Sequence, residues 1–207
     1  MADEIGRTMR RTMAYYYEDG FVEIAVGALF GLVACAVLLM RAAQTASPAL
    51  IVASSLGLVV LVLGGAFAVQ RIVQAVKTRV TYPRTGYVSY RHDRPSPSRW
   101  LVIAGALLLV VLTFVLPEPF TQMPFAVGAL LIVILGALVL RGAPPRLALA
   151  GVAGLAGGVV SALFDMPETA GVAVAFGAAG AALVAFGLLA LAGYLRHAPP
   201  PEGAGDE

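Results

Sequence analysis

The chain has 207 residues, of which 59% are hydrophobic and 13% are charged, and its net charge is +2. Its mean hydropathy is +0.87. Soluble domains carry about 25% charged residues, so this chain has too little polar surface to cover a water-soluble globule. The composition therefore excludes a soluble domain and predicts a protein whose apolar surface faces lipid. A single cysteine, Cys35, excludes an intramolecular disulfide.

Residues 1–20 have the periodicity of a short amphipathic helix. At about 100° per residue, Ile5, Met9 and Tyr16 share one side, and arginines occupy the other. This pattern is typical of a helix that lies in the membrane interface on the cytoplasmic side. A solvated, partly frayed N-terminus is the alternative. Asp19-Gly20 breaks this helix, and Asp19 is placed to cap the next one.

Six apolar segments are long enough to cross a bilayer, which needs about 20 residues per helix. The first two spans fall within residues 21–76 and the other four within residues 100–195. The predicted spans are Phe21–Met40, Ala49–Val69 with its helix extending to Val76, Trp100–Leu116, Phe125–Leu140, Leu147–Phe164 and Ala170–Leu195. The fifth is rich in Gly and Ala, so a re-entrant or buried segment is its alternative. Residues 196–207 are rich in Pro, Gly and acids, and we expect a disordered cytoplasmic tail.

The basic residues are distributed unevenly between the two sides of the predicted bundle. If the N-terminus is cytoplasmic, every Lys and Arg except Arg41 lies on the cytoplasmic side. This is a strong positive-inside signal, and it holds loop by loop. It predicts a multi-pass protein of the plasma membrane with both termini in the cytoplasm. Heavy use of Arg, Ala, Gly and Val suits a GC-rich bacterial genome.

Residues 77–99 form the longest polar interruption and carry six of the fourteen Lys and Arg residues. Tyr82 and Tyr87 lie in two short strand-like runs, which Pro83 to Gly86 connect with turn chemistry. We expect a small β-hairpin at the cytoplasmic surface, between the second and third spans. Three roles compete for this loop: a topology determinant anchored to acidic lipid headgroups, a docking surface for a partner protein, and a gate. Nucleic-acid binding is not expected, because the bilayer already explains the basic residues.

Two motifs support a resemblance. YYYEDGFVEIAVG covers residues 15–27 at the start of the first span, and RVTYPRTGYVSYR covers residues 79–91. Together they resemble a group of small bacterial multi-pass membrane proteins of uncharacterised function. The resemblance implies a membrane location and no mechanism.

Glu23 is the one acid inside a predicted span, and charged groups within spans are candidates for function. Asp19 lies four residues before it, on the same helix face. Glu23 is expected to form an ion pair with a loop arginine and so attach the hairpin to the bundle. The alternatives are a proton-coupling or cation site and an unpaired acid that reaches water. The candidate loop arginines are Arg79, Arg84 and Arg91.

Other chemistry has little support in the sequence. Ser54, Ser55, Ser161 and Thr113 are the polar residues at membrane depth, and such hydroxyls usually bond to the preceding helical turn. The two histidines lie in the loop and the tail, away from these serines, and no metal or phosphate motif occurs. We therefore expect no enzyme activity and no cofactor. Glycines in the first, fifth and sixth spans indicate close helix packing, within the bundle rather than in a dimer.

These observations predict an all-α membrane fold: a six-span bundle with an interfacial N-terminal helix and a cytoplasmic hairpin. The leading hypothesis is a non-enzymatic scaffold or accessory subunit whose basic cytoplasmic surface binds lipid or a partner protein, and a homo-oligomer is possible. The alternative is a small oligomeric transporter or channel that uses Glu23 as its coupling acid. A lipid-handling protein with a groove open to the bilayer is a third hypothesis.

Overall fold

The structure is a computed structural model. It describes residue 17 and residues 19–43, 47–76 and 123–197. These ranges form five α-helices and contain no strand. The helices are α1 Phe21–Ala43, α2 Pro48–Val76, α3 Met123–Leu140, α4 Arg146–Leu163 and α5 Glu168–His197. Each of the five is long and apolar enough to cross a membrane, which confirms the predicted all-helical, apolar architecture.

Five of the six predicted spans correspond to these helices. The sixth helix and the hairpin have no support in the described residues, because Trp100–Leu116 and residues 77–99 lie outside them. The interfacial helix of residues 1–16 and the tail of residues 198–207 also lie outside the described ranges. Helix α2 begins at Pro48, one residue before the predicted span Ala49–Val69, and the predicted extension of this helix to Val76 is confirmed.

Helices α1 and α5 run antiparallel and approach each other at glycines spaced by two turns. A Cβ atom added to Gly27 would lie 2.7 Å from the Gly180 carbonyl oxygen, and one added to Gly180 would lie 2.8 Å from that of Gly27. Seven residues away, Gly20 and Gly187 make the equivalent close contact. Small residues let helix backbones approach closely in this way. The contact of Gly20 and Gly27 with Gly187 and Gly180, called here the α1–α5 seam, therefore fixes the register of α1 against α5.

Helix α4 lies between α3 and α5, and its glycines face both neighbours. A Cβ atom on Gly151 would lie 2.8 Å from Ile132 Cα in α3, and one on Gly157 would lie 3.2 Å from Ala175 Cα in α5. The predicted packing of the last two spans through small residues is therefore confirmed. Helix α4 is also continuous over 18 residues, a length of about 27 Å. That length matches the hydrocarbon core and does not favour the re-entrant alternative.

The contacts between helices define two ends of the bundle. The Glu23 end comprises the beginnings of α1 and α4 and the last turns of α2, α3 and α5. The Asp165 end comprises their opposite termini and the turn between α4 and α5. Helix α2 is antiparallel to α1, because the Ser55 hydroxyl reaches Met40 Sδ and Gly65 packs on Leu29.

The flanks of the described bundle are apolar. None of the 18 residues in the most apolar stretch of α2 is buried, and this helix packs mainly on α1 among the described helices. Its exposed apolar side chains include Val60, Leu63 and Phe67, and Leu39, Leu140 and Leu189 are similarly exposed on other helices. Apolar surface of this extent is suited to lipid contact.

Candidate functional site

The chain enters α1 through a buried turn at the Glu23 end. Tyr17, in the turn before α1, is 8% exposed and belongs to a buried cluster with Leu135 of α3, Leu147 of α4 and Leu183 of α5. Gly20 has φ +71° and contacts the backbone of Gly187, so both its conformation and its surroundings favour glycine. Asp19 is 1% exposed, and its Oδ1 accepts a hydrogen bond from the Phe21 N–H at 3.3 Å. The predicted capping of α1 by Asp19 is confirmed, whereas the helix that Asp19-Gly20 was expected to break lies outside the described residues.

Glu23 lies in the first turn of α1 and forms a partly buried ion pair with Arg146, the first residue of α4. Arg146 Nε donates to Glu23 Oε1 at 2.8 Å, and Arg146 Nη2 lies 2.7 Å from the same oxygen. The Glu23 side chain has no exposed surface, whereas that of Arg146 is 26% exposed. Arg146 Nη2 also donates to the Tyr17 carbonyl oxygen. One guanidinium therefore connects the start of α4 to both the acid of α1 and the turn before it.

The second carboxylate oxygen of Glu23 is in a different environment. Glu23 Oε2 is buried and has no hydrogen-bond partner among the described residues. Glu23 also lines a pocket of about 40 Å³ between α1, α3, α4 and α5. The pocket is lined by Tyr17, Val22, Glu23, Val26, Leu135, Leu138, Leu147 and Leu183. Among the described residues that line this pocket, Glu23 is the one that is charged.

The serines of the described helices bond to their own helix backbone. Ser54 and Ser55 donate to the Ile51 carbonyl, and the fully buried Ser161 donates to the Gly157 carbonyl at 2.7 Å. These bonds confirm the expected satisfaction of the hydroxyls on the preceding turn. Thr113 lies outside the described residues. No group of three His, Cys, Asp or Glu residues that could hold a metal occurs within residues 17, 19–43, 47–76 and 123–197.

The predicted site residues divide into two sets. Asp19 and Glu23 both belong to the Glu23 end and both are buried, but Asp19 lies in the turn before α1 and not on a helix face shared with Glu23. The remaining seven lie outside the described residues: Arg79, Tyr82, Pro83, Arg84, Gly86, Tyr87 and Arg91. Glu23 does form an ion pair, and its partner among the described residues is Arg146, which was not among the three predicted loop arginines.

Sequence reasoning missed Arg146 because it treated the RGAPPR connection only as a topology signal. Pro144 and Pro145 place Arg146 at the first position of α4, and its side chain is therefore directed to the end of the bundle where Glu23 lies. The sequence placed both residues on one side of the membrane. The sequence alone did not indicate that α4 lies next to α1 at the Glu23 end.

No family model matches this chain, and neither a curated protein nor a solved structure matches it.

Proposed function

We propose that this chain is a non-enzymatic multi-pass protein of the bacterial plasma membrane, a scaffold or accessory subunit that binds acidic lipid headgroups at its Glu23 end. The observation that carries the proposal is the position of the arginines. Of the five arginines in the described helices and turns, four belong to the Glu23 end: Arg71, Arg141, Arg146 and Arg196. Arg41 belongs to the Asp165 end, together with Asp165 and Glu168. By the positive-inside rule the Glu23 end faces the cytoplasm.

Two of these arginines are suited to lipid contact. Arg71 and Arg196 are exposed near the C-terminal ends of α2 and α5. The Arg71 guanidinium lies 5.1 Å from the centre of the Phe67 ring, whose side chain is exposed on the apolar flank. A cation held at the edge of an apolar flank lies at headgroup depth when the flank is in hydrocarbon. Arg146 is instead engaged by Glu23 and is not part of the lipid-binding surface.

The direction of the helices supports a sixth span. Helix α2 ends at the Glu23 end, whereas α3 begins at the Asp165 end, where Pro124 packs on Gly158 and Gly171. Residues 77–122 therefore connect opposite sides of the membrane, and a segment that does so must cross the membrane an odd number of times. The apolar run of bilayer length in residues 77–122 is Trp100–Leu116. We therefore propose six spans, with the loop of residues 77–99 and its hairpin on the cytoplasmic side.

Lipid retention tests the proposed surface. The protein is purified in mild detergent with phosphatidylglycerol or phosphatidylcholine, and bound lipid is counted by native mass spectrometry. A basic residue near an acidic surface contributes about 1 kcal/mol, so Arg71→Gln with Arg196→Gln should weaken phosphatidylglycerol retention by roughly ten- to thirtyfold. Arg41→Gln is the matched control at the other end, and we expect it to change nothing.

Two results would count against lipid binding. Equal retention of phosphatidylglycerol by the wild type and the double variant would contradict it directly. Loss of a co-purifying protein, with lipid retention unchanged, would assign the surface to a protein partner instead. Substituting Arg79, Arg84 and Arg91 with Gln in the same assay measures the contribution of the loop to phosphatidylglycerol retention.

Transport with Glu23 as coupling acid is the weaker candidate. A transporter site needs a polar path to the acid, commonly beside a broken helix. The cavity beside Glu23 is small, its other lining residues are apolar or aromatic, and the acid is paired with Arg146. These features of the described bundle favour the scaffold hypothesis.

A further inference from the structure

Helix α3 is buried on two opposite sides. On the first side, Leu131 and Leu135 are 4% and 3% exposed and pack toward α4 and α5. Ala129 lies two residues before Leu131, and Ala137 lies two residues after Leu135. Two residues correspond to about 200° around an α-helix, so both alanines lie on the second side of α3. They are nevertheless only 8% and 9% exposed.

The alanines of α2 show that burial of this kind needs a neighbour. Ala53, Ala66 and Ala68 lie in a similarly apolar helix, and all three are exposed. The side chains of its own helix therefore do not suffice to bury an alanine. Leu130 and Val133, which belong to the second side of α3, are also not among its exposed residues. Among the described helices, α3 packs mainly on α4 and α5, which lie on its first side.

The depth of Ala129 limits what can cover the second side. Ala129 is close to the middle of the 18-residue helix α3, and hence near the centre of the hydrocarbon core when α3 crosses a bilayer. Only an apolar segment reaches that depth without a large cost in free energy. Outside the described residues, Trp100–Leu116 is the apolar run of bilayer length, whereas residues 1–16 and 198–207 contain several charged groups.

The short connection to α3 favours the same segment. Only residues 117–122 separate Leu116 from Met123, the first residue of α3. A fully extended chain of this length covers about 25 Å, which is roughly two helix diameters. Helices joined by short connections are usually neighbours and run antiparallel. The end of the apolar run must therefore lie close to the start of α3.

We propose that the second side of α3 is the contact surface for Trp100–Leu116, which packs antiparallel to α3 against Ala129 and Ala137. Small side chains at these positions would let the two backbones approach closely. The proposal rests on the six-span topology proposed above. It places α3 between two groups of spans and leaves α2 at the edge of the bundle, where its exposed flank meets lipid.

Cysteine cross-linking in native membranes tests the contact. In a Cys35→Ala background, Ala137→Cys is combined in turn with a cysteine at each of positions 101–104, which cover one helical turn. Val102 is in this turn, and it lies as far before Leu116 as Ala137 lies after Met123. After oxidation with copper phenanthroline, intact-mass spectrometry of the monomer counts the thiols that still react with maleimide. We expect at least one of the four pairs to lose both thiols and to recover them with dithiothreitol.

Ala68→Cys is the matched control, because Ala68 is an exposed alanine of α2. Combined with the same four positions, it should keep both thiols reactive. Cross-linking to Ala68→Cys in place of Ala137→Cys would overturn the proposal, and so would the absence of any cross-link. Ala129→Cys combined with positions 109–112 repeats the test deeper in the bilayer, so the result does not depend on the folding of one variant.

The crossing itself is measured separately from the contact. A membrane-impermeant maleimide should label Gln122→Cys from outside and Ser98→Cys only after the membrane is permeabilised. This labelling pattern without a cross-link would refute the contact and leave the six-span topology intact. Labelling of both positions from the same side would contradict the six-span topology, and the contact would fail with it.

Discussion

Replacing Arg146 with methionine keeps most of the length of the side chain but removes the cation from Glu23. Because the Glu23 side chain has no exposed surface, its carboxylate would remain buried without its counter-ion. Breaking a buried pair in this way costs about 3–5 kcal/mol, and the lost bond to the Tyr17 carbonyl adds about 1 kcal/mol. The Glu23→Leu variant should lose less, about 1–3 kcal/mol, because Arg146 is 26% exposed and can turn toward water.

The double variant Glu23→Leu/Arg146→Met separates this explanation from simple loss of packing. An apolar pair of similar volume can replace a buried ion pair at little cost, so we expect the double variant to lose only about 1–2 kcal/mol. The combined loss should fall short of the sum of the single losses by at least about 2 kcal/mol. Reversible unfolding in lipid–detergent bicelles measures all four proteins, and Arg41→Gln, at an exposed arginine, is the control. Losses that add within about 0.5 kcal/mol would refute the ion pair as the link between α1 and α4.

Further predictions concern backbone contacts. Gly27→Ala places a Cβ atom 2.7 Å from the Gly180 carbonyl oxygen and should destabilise the bundle by about 1–3 kcal/mol. Gly57→Ala adds its Cβ in open space, so the same assay should show no loss for it, and equal losses would argue against the α1–α5 seam. Asp165 has φ +47° at the end of α4, where the Met166 N–H bonds to the Ser161 carbonyl at 3.0 Å. Asp165→Gly should therefore stabilise the fold by up to about 1 kcal/mol, and a lowered unfolding midpoint would contradict that reasoning.

The helices were predictable where local chemistry defines their ends. Helix α1 begins directly after Asp19-Gly20, where the Asp19 carboxylate accepts the first helical N–H and Gly20 adopts a positive φ. Pro48 begins α2, since proline is tolerated in the first turn and lacks a backbone N–H that would need a partner. The continuous α4 was less certain, because Gly and Ala contribute little transfer free energy. Its stability comes from close packing between α3 and α5, which hydropathy does not report.

The partner of Glu23 was not predictable, because a pair depends on which helices are neighbours. The distribution of basic residues assigns a side of the membrane to each arginine but gives no lateral arrangement. The contact of Gly27 with Gly180 was not predictable for the same reason, because the sequence shows both glycines but does not show that α1 lies against α5. Once that neighbour is known, the seven-residue spacing of Gly20 and Gly27 matches that of Gly180 and Gly187.

The orientation of the bundle is tested most directly by labelling single cysteines in intact cells. In a Cys35→Ala background, Glu168→Cys places a thiol at the exposed start of α5, and Arg196→Cys places one at its exposed end. We predict that a membrane-impermeant maleimide labels position 168 from outside and position 196 only after the membrane is permeabilised. Labelling of position 196 from outside, with position 168 protected, would contradict the proposed topology and the cytoplasmic lipid-binding surface that depends on it.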